Sequence, residues 1–226
     1  MRKWMIVLAV FTVLLTIRSK NANAQSELTL QSGTASTTYF GVGNAPINVV
    51  GAMENGWVIT VVTGETFSPG LTPDGIDITS LSAVCATSLC YNSPLIVSFS
   101  GTNFTQPVGA GGFITNLVVL AASGTAPSAT QNSYDDTTNV FFGTGTTIGT
   151  IGPLTTGSAF ITGGGPAGPG AYSLSIVDTF SAGGSNATIS AFGNIGATPE
   201  PSSILLFGTG LLGLGGILRR RLLACA

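Results

Sequence analysis

Ala171-Tyr172-Ser173-Leu174-Ser175-Ile176 is the clearest strand signal in the chain. Apolar side chains fall at every second position, so Tyr172, Leu174 and Ile176 share one face and the serines take the other. A helix would scatter the three around its circumference. Glu27-Leu28-Thr29-Leu30 alternates in the same way. Short β-branched or aromatic runs extend the pattern at 57–62 (WVITVV), 76–81, 95–99, 113–120, 140–142 and 187–192. Turn residues separate these runs. They are Glu54-Asn55-Gly56, Ser68-Pro69-Gly70, Pro73-Asp74-Gly75, the glycines of 109–112, the run GGGPAGPG at 163–170, and Gly183-Gly184. No stretch between the two ends of the chain carries a helical stripe. About seven to nine short strands broken in this manner predict an all-β domain. The expected form is a two-sheet β-sandwich, immunoglobulin-like or jelly-roll, with a strand order that periodicity does not give.

Composition supports that class. Only 7% of the 226 residues are charged and 44% are hydrophobic, with 32 glycines. An ordinary soluble domain is about a quarter charged. The seven basic residues are Arg2, Lys3, Arg18, Lys20, Arg219, Arg220 and Arg221, all near the ends. Nine acids occupy the interval between them: Glu27, Glu54, Glu65, Asp74, Asp77, Asp135, Asp136, Asp178 and Glu200. A body with acids and no cation cannot neutralise phosphates, so nucleic acid is not an expected partner. It must be held by apolar packing and backbone hydrogen bonds.

Missing residues narrow the chemistry. The chain has no histidine, which removes Ser-His-Asp and Cys-His catalysis and His-ligated metals. Without lysine or arginine, the body has no Schiff base and no phosphate clamp. No catalytic residue, enzyme activity or cofactor is therefore expected. A hydrolase built on two carboxylates remains a third and weakest reading, because no pair of acids stands out. Asp135-Asp136, and less so Asp74 and Asp77, carry oxygens that suit Ca²⁺, but their spacing matches no known calcium loop. Cys85 and Cys90 (CATSLC) predict a disulfide in an oxidising compartment, closing a short loop worth about 2 kcal/mol. Asn103-Phe104-Thr105 and Asn186-Ala187-Thr188 match the glycosylation acceptor pattern and are read as turn sequence.

The ends are addresses. Arg2 and Lys3, then the apolar run 4–17 (WMIVLAVFTVLLTI), then Ala22-Asn23-Ala24, form a secretory signal peptide with cleavage expected before Gln25. An uncleaved anchor is the alternative, though fourteen residues fall short of the roughly 20 needed to span hydrocarbon. At the other end stand Pro199-Glu200-Pro201, an uncharged apolar segment over about 204–218, and Arg219-Arg220-Arg221. The prolines forbid continuous helix. The three arginines act as a stop-transfer and positive-inside signal, since each costs about 2.5–3.5 kcal/mol at mid-membrane. Fifteen helical residues reach only about 22 Å. The segment is rich in glycine, and reads more as a handle to be removed than as a permanent anchor.

This ordered triplet, apolar segment and arginine cluster, covering about 198–222, resembles the PEP-CTERM sorting domain of Gram-negative bacteria. The tail departs slightly, since Leu222-Leu223-Ala224-Cys225-Ala226 follows the arginines. The resemblance implies processing near Pro199-Glu200-Pro201 by exosortase, in cells that make exopolysaccharide or biofilm matrix. The expected layout is a signal peptide (1–24), an exported sandwich (25–192), a linker (193–198) and a sorting signal with a transmembrane helix (199–226). The expected route passes the Sec translocon and an inner-membrane-anchored stage, ending in the envelope or outside the cell. The leading functional expectation is a structural or interaction protein of the exopolysaccharide matrix. The rival is a carbohydrate-binding module that uses Trp57, Tyr39, Tyr91, Tyr134 or Tyr172 as stacking faces, although Trp57 and Tyr172 sit in patterns that read as core.

Overall fold

The computed structural model describes residues 25–67, 74–105, 112–164, 170–198 and 209–210. The expected signal peptide with Ala22 and Ala24 lies outside them, as do Pro199, Glu200, Pro201 and Arg219, Arg220 and Arg221. The expected membrane segment, about 204–218, is also outside except for Thr209 and Gly210, which are helical. Among the described residues no helix is long and apolar enough to cross a membrane.

Among the described residues, twelve strands form two six-stranded sheets, and every pairing is antiparallel. They are β1 (Gln25–Ser32), β2 (Ala35–Gly41), β3 (Ile47–Glu54), β4 (Trp57–Phe67), β5 (Gly75–Cys85) and β6 (Leu95–Phe104). The remainder are β7 (Phe113–Ser123), β8 (Ser128–Asp136), β9 (Thr146–Leu154), β10 (Gly157–Gly163), β11 (Tyr172–Ser181) and β12 (Thr188–Ala197). The first sheet runs β2-β1-β6-β11-β8-β9 and the second β10-β7-β12-β5-β4-β3. From β5 onward the chain switches sheets at each step except β8 to β9, which pair side by side in the first sheet. The architecture is the expected two-sheet β-sandwich, with more strands than the repeat of turns suggests.

Alternation builds the core. Leu28 and Leu30 of β1, Val97 and Phe99 of β6, and Leu174 and Ile176 of β11 point inward from the first sheet. Ile59 and Val62 of β4, Ile76 and Ile78 of β5, and Leu117 of β7 meet them from the second. Tyr172 packs its ring 5.7 Å from Phe104 and 5.9 Å from Phe113. Gly64 is needed at the layer contact, because a Cβ there would lie 2.6 Å from the Phe99 ring. The Asn55-Gly56 turn between β3 and β4 has φ of 43° and 87°, the left-handed pair that a tight hairpin demands. Trp57 then drops fully into the core, and its Nε1 donates to the Ser93 carbonyl at 3.0 Å.

Two expectations are corrected. The run 140–142 is a turn, not a strand. Asn139 and Phe142 have φ of 57° and 53°, in the left-handed region outside regular strand geometry, and the Phe142 amide donates to Ser100 Oγ at 3.1 Å. The expected linker 193–198 is the second half of β12, whose pairing continues to Ala197. Gly193 and Gly196 there mark places of close approach and open surface in a strand, not breaks in it. Thr198 is also held, its amide donating to the Gly112 carbonyl at 3.0 Å and its hydroxyl to the same oxygen at 2.8 Å.

Candidate functional site

The outer face of the second sheet carries a row of polar side chains in direct cross-strand register. Phe160 of β10 pairs with Asn116 of β7, Asn116 with Asn194 of β12, Asn194 with Asp77 of β5, and Asp77 with Glu65 of β4. Paired residues in an antiparallel ladder share a face at about 4.5–5.5 Å between Cβ atoms. Their neighbours along the strands, Thr66, Ile76, Ile78, Thr115, Leu117 and Ile195, are buried, so alternation sends this row to the outer face, where its four polar residues are half-buried.

The adjacent row makes a groove. Ile114 pairs with Gly196, Gly196 with Gly75, and Gly75 with Phe67. Two glycines side by side leave a gap between Ile114 and Phe67, which are 38% and 40% exposed. A Cβ at Gly196 would meet nothing within 4 Å, so that side is open. One at Gly75 would lie 2.6 Å from the Ile195 carbonyl oxygen. The groove has a volume of about 230 Å³, with Asp77 and Asn194 on its polar side and Phe67 and Ile114 on its apolar side. Ala197 lines it too, so it lies where the chain leaves the sandwich toward the sorting signal.

Its electrostatics are those of an acceptor surface. Burial, and then the charge of Glu65, push the Asp77 carboxyl up to about 6. Asp77 Oδ1 is buried and has no hydrogen-bond partner, so its other carboxyl oxygen is the one left for the groove. Asp77, Glu65 and two amides thus present carboxylate and carbonyl oxygens with two NH₂ groups beside an apolar wall. This combination suits the alternating C–H and O–H surface of a sugar ring.

The residues singled out from sequence lie elsewhere. Trp57 and Tyr172 are core, at 0% and 1% exposure. Tyr39 packs partly against the core, Tyr134 is half-buried on β8, and Tyr91 is exposed in the short 3-10 turn Cys90–Asn92. None belongs to the groove row. Asp135 and Asp136 diverge, as successive strand residues do. Asp136 accepts from the Thr138 amide and hydroxyl, each at 2.7 Å, and the hydroxyl bond foremost holds its carboxyl below the usual range. Burial pushes Asp135 up to about 6, partly offset by a bond to its own backbone and reinforced by the Asp136 charge. Among the described residues no group of three His, Cys, Asp or Glu could hold a metal ion. Asp74 accepts from the Tyr172 hydroxyl at 3.3 Å. Cys85 and Cys90 are bonded, with Cα atoms 5.5 Å apart. Gln25, the residue expected to follow signal cleavage, is the first residue of β1.

Glu65, Asn116, Asn194, Phe67, Ile114 and Phe160 were not visible as a set in the sequence. They come from four strands, β4, β7, β10 and β12, and only strand order aligns them. The one local hint is a polar or exposed residue at each outward position.

The PEP-CTERM protein-sorting motif is matched over residues 197–221, beginning at the last residue of β12. The chain is therefore an exported, envelope-directed protein carrying a signal for exosortase. No curated protein matches the chain. Among solved structures it is distantly similar to the cleaved adhesin domain of Lys-gingipain from Porphyromonas gingivalis. Identity is 11% and TM-score 0.30, covering 69% of this chain and 99% of that one. It is also similar to a xylan-binding module, CBM15, at 13% identity and TM-score 0.29, covering 70% and 99%. A structure from infectious bursal disease virus is similar at 12% identity and TM-score 0.31, covering 82% and 59%. Likeness at this level transfers no residue role.

Proposed function

We propose that the exported sandwich is a non-catalytic module of the extracellular matrix that binds uncharged polysaccharide along the outer groove of its second sheet. The observation that carries this reading is the register Asn116–Asn194–Asp77–Glu65 beside the glycine-floored gap between Phe67 and Ile114. Acceptor oxygens and amide donors meet sugar hydroxyls, while Phe67, Ile114 and Phe160 cover C–H faces. Charge sets the class of glycan. A body with no lysine or arginine between residues 21 and 218 repels uronate or sulfate polymers, so a neutral chain is the fitting partner. The sorting signal supplies the delivery, and the groove supplies retention among the polymers secreted by the same cell.

Affinity electrophoresis of the native protein through gels containing neutral or anionic polysaccharides tests this. Retardation is expected in at least one neutral gel and in none of the anionic ones. Asp77→Ala and Asn194→Ala should each weaken it about tenfold, near the worth of one lost charged or amide hydrogen bond. Retardation that survives both substitutions would move the site elsewhere. Retardation by anionic polymers alone would overturn the reading.

A further inference from the structure

The groove is the middle of a longer row. Phe160 of β10, Asn116 of β7, Asn194 of β12, Asp77 of β5 and Glu65 of β4 are successive register partners. Their line crosses five neighbouring strands, perpendicular to the strand direction. Strands in a sheet lie about 4.7–4.9 Å apart, so the row is about 19 Å long. The register shifts in β4, β5, β7 and β12 all fall on one side of it, at Ile59 to Gly64 and at Ser190 to Gly193, so the row itself runs in continuous pairing. Its two ends differ. Phe160 is 73% exposed and puts an aromatic face at one end, and Glu65 puts a carboxylate at the other.

We propose that this row is the track of an extended, neutral, 1,4-β-linked polysaccharide lying across the strands with one sugar over each, an inference that rests on the groove being a glycan site. Spacing carries it. The step per sugar in an extended 1,4-β-linked pyranose chain is close to the distance between strands, so polymer and row stay in phase along their whole length. An α-1,4-linked chain coils away from the plane of a sheet and leaves the ends of the row empty. Neighbouring rings of the extended chain are flipped relative to each other, yet each ring carries oxygen on both edges, so one oxygen faces every strand. The side chains suit those oxygens. The amides of Asn116 and Asn194 donate and accept, and the carboxylates of Asp77 and Glu65 accept from hydroxyls. Gly75 and Gly196 lie beside Asp77 and Asn194 and let one ring sink between Phe67 and Ile114. Phe160 lies three strand spacings from Asp77, about 14 Å, and meets the face of a more distant ring. Two carboxylates without a cation in the row repel uronates and sulfates.

Titration calorimetry of the native protein with cello- and manno-oligosaccharides, from disaccharide to hexasaccharide, tests the track. Affinity is expected to rise with each added sugar and to level off at about the pentasaccharide, where all the strands of the row are covered. The α-linked malto series is expected to show no such rise. Phe160→Ala supplies the second arm. That side chain stands in solvent, so its loss leaves the core untouched. It should weaken pentasaccharide binding about fivefold and leave disaccharide binding unchanged. Affinity that levels off at the disaccharide would overturn the track, as would a Phe160→Ala loss that is equal at every length or an equal rise in the malto series. Glycan binding at the groove would survive each of those results. Failure of both β-linked series to bind, with retardation still seen in another neutral gel, would overturn the linkage and leave the glycan site standing. Failure of every series together with no retardation in any neutral gel would overturn both.

Discussion

Asp77 and Asp135 are carboxyls that folding makes harder to ionise, each lifted to about 6. In the unfolded chain they ionise near 4, so the folded state holds their protons more tightly between about pH 4 and 6. Stability is then greatest at the acid end of that window and falls as pH rises through it. Asp178 acts in the same direction and Asp136 in the opposite one, below its ordinary range. Thermal melts should give a higher Tm at pH 5 than at pH 7.5, and the reverse order would contradict the assigned burial. Asp135→Asn should raise Tm at pH 7.5 by an amount on the order of 1 kcal/mol in stability and flatten this pH dependence. In the groove the sign is opposite. An ionised Asp77 is the better acceptor for sugar hydroxyls, so glycan binding should strengthen from pH 5 to 7.5, and Asp77→Asn should remove that dependence. Gly64→Ala forces a methyl group against Phe99 and should cost about 1–3 kcal/mol, measurable by denaturant unfolding.

Among the elements, β1, β4, β5, β6, β7, β11 and β12 were legible, because each puts apolar residues on alternate inward positions. β8 was not. Its inward positions are Ala129, Gln131, Ser133 and Asp135, so a search for apolar alternation passes over a strand at the centre of the fold. β2, β3 and β10 are edge strands with mostly exposed side chains, where one-sided burial gives little pattern. The Asn55-Gly56 hairpin was readable from its turn chemistry alone. The groove was not, since register across β4, β5, β12 and β7 is a property of strand order. The disulfide loop belongs to this scale as well. Gly56, at φ 87°, faces Thr87 of the loop, and the Ala86 amide donates to the Gly56 carbonyl at 2.9 Å. Cys85→Ser should therefore loosen the β3–β4 turn together with the loop and cost about 2 kcal/mol. Faster amide exchange confined to residues 54–57 and 86–94 would show it, and unchanged exchange there would contradict the coupling.

For the whole molecule, the charge distribution and the sorting motif agree on an acidic, cation-free sandwich delivered outside the cell. The last described strand ends at Ala197, where the matched sorting motif begins, just before the expected processing point at Pro199-Glu200-Pro201. The proposed function has the polar register on the second sheet engage the polymers of the matrix. The most direct measurement compares cells producing the native protein with cells producing the Asp77→Ala, Asn194→Ala double variant, following size and location in each. The account predicts identical processing of both, with the native protein held in the polysaccharide fraction and the variant released to the medium. Equal retention of the two in the matrix would contradict it.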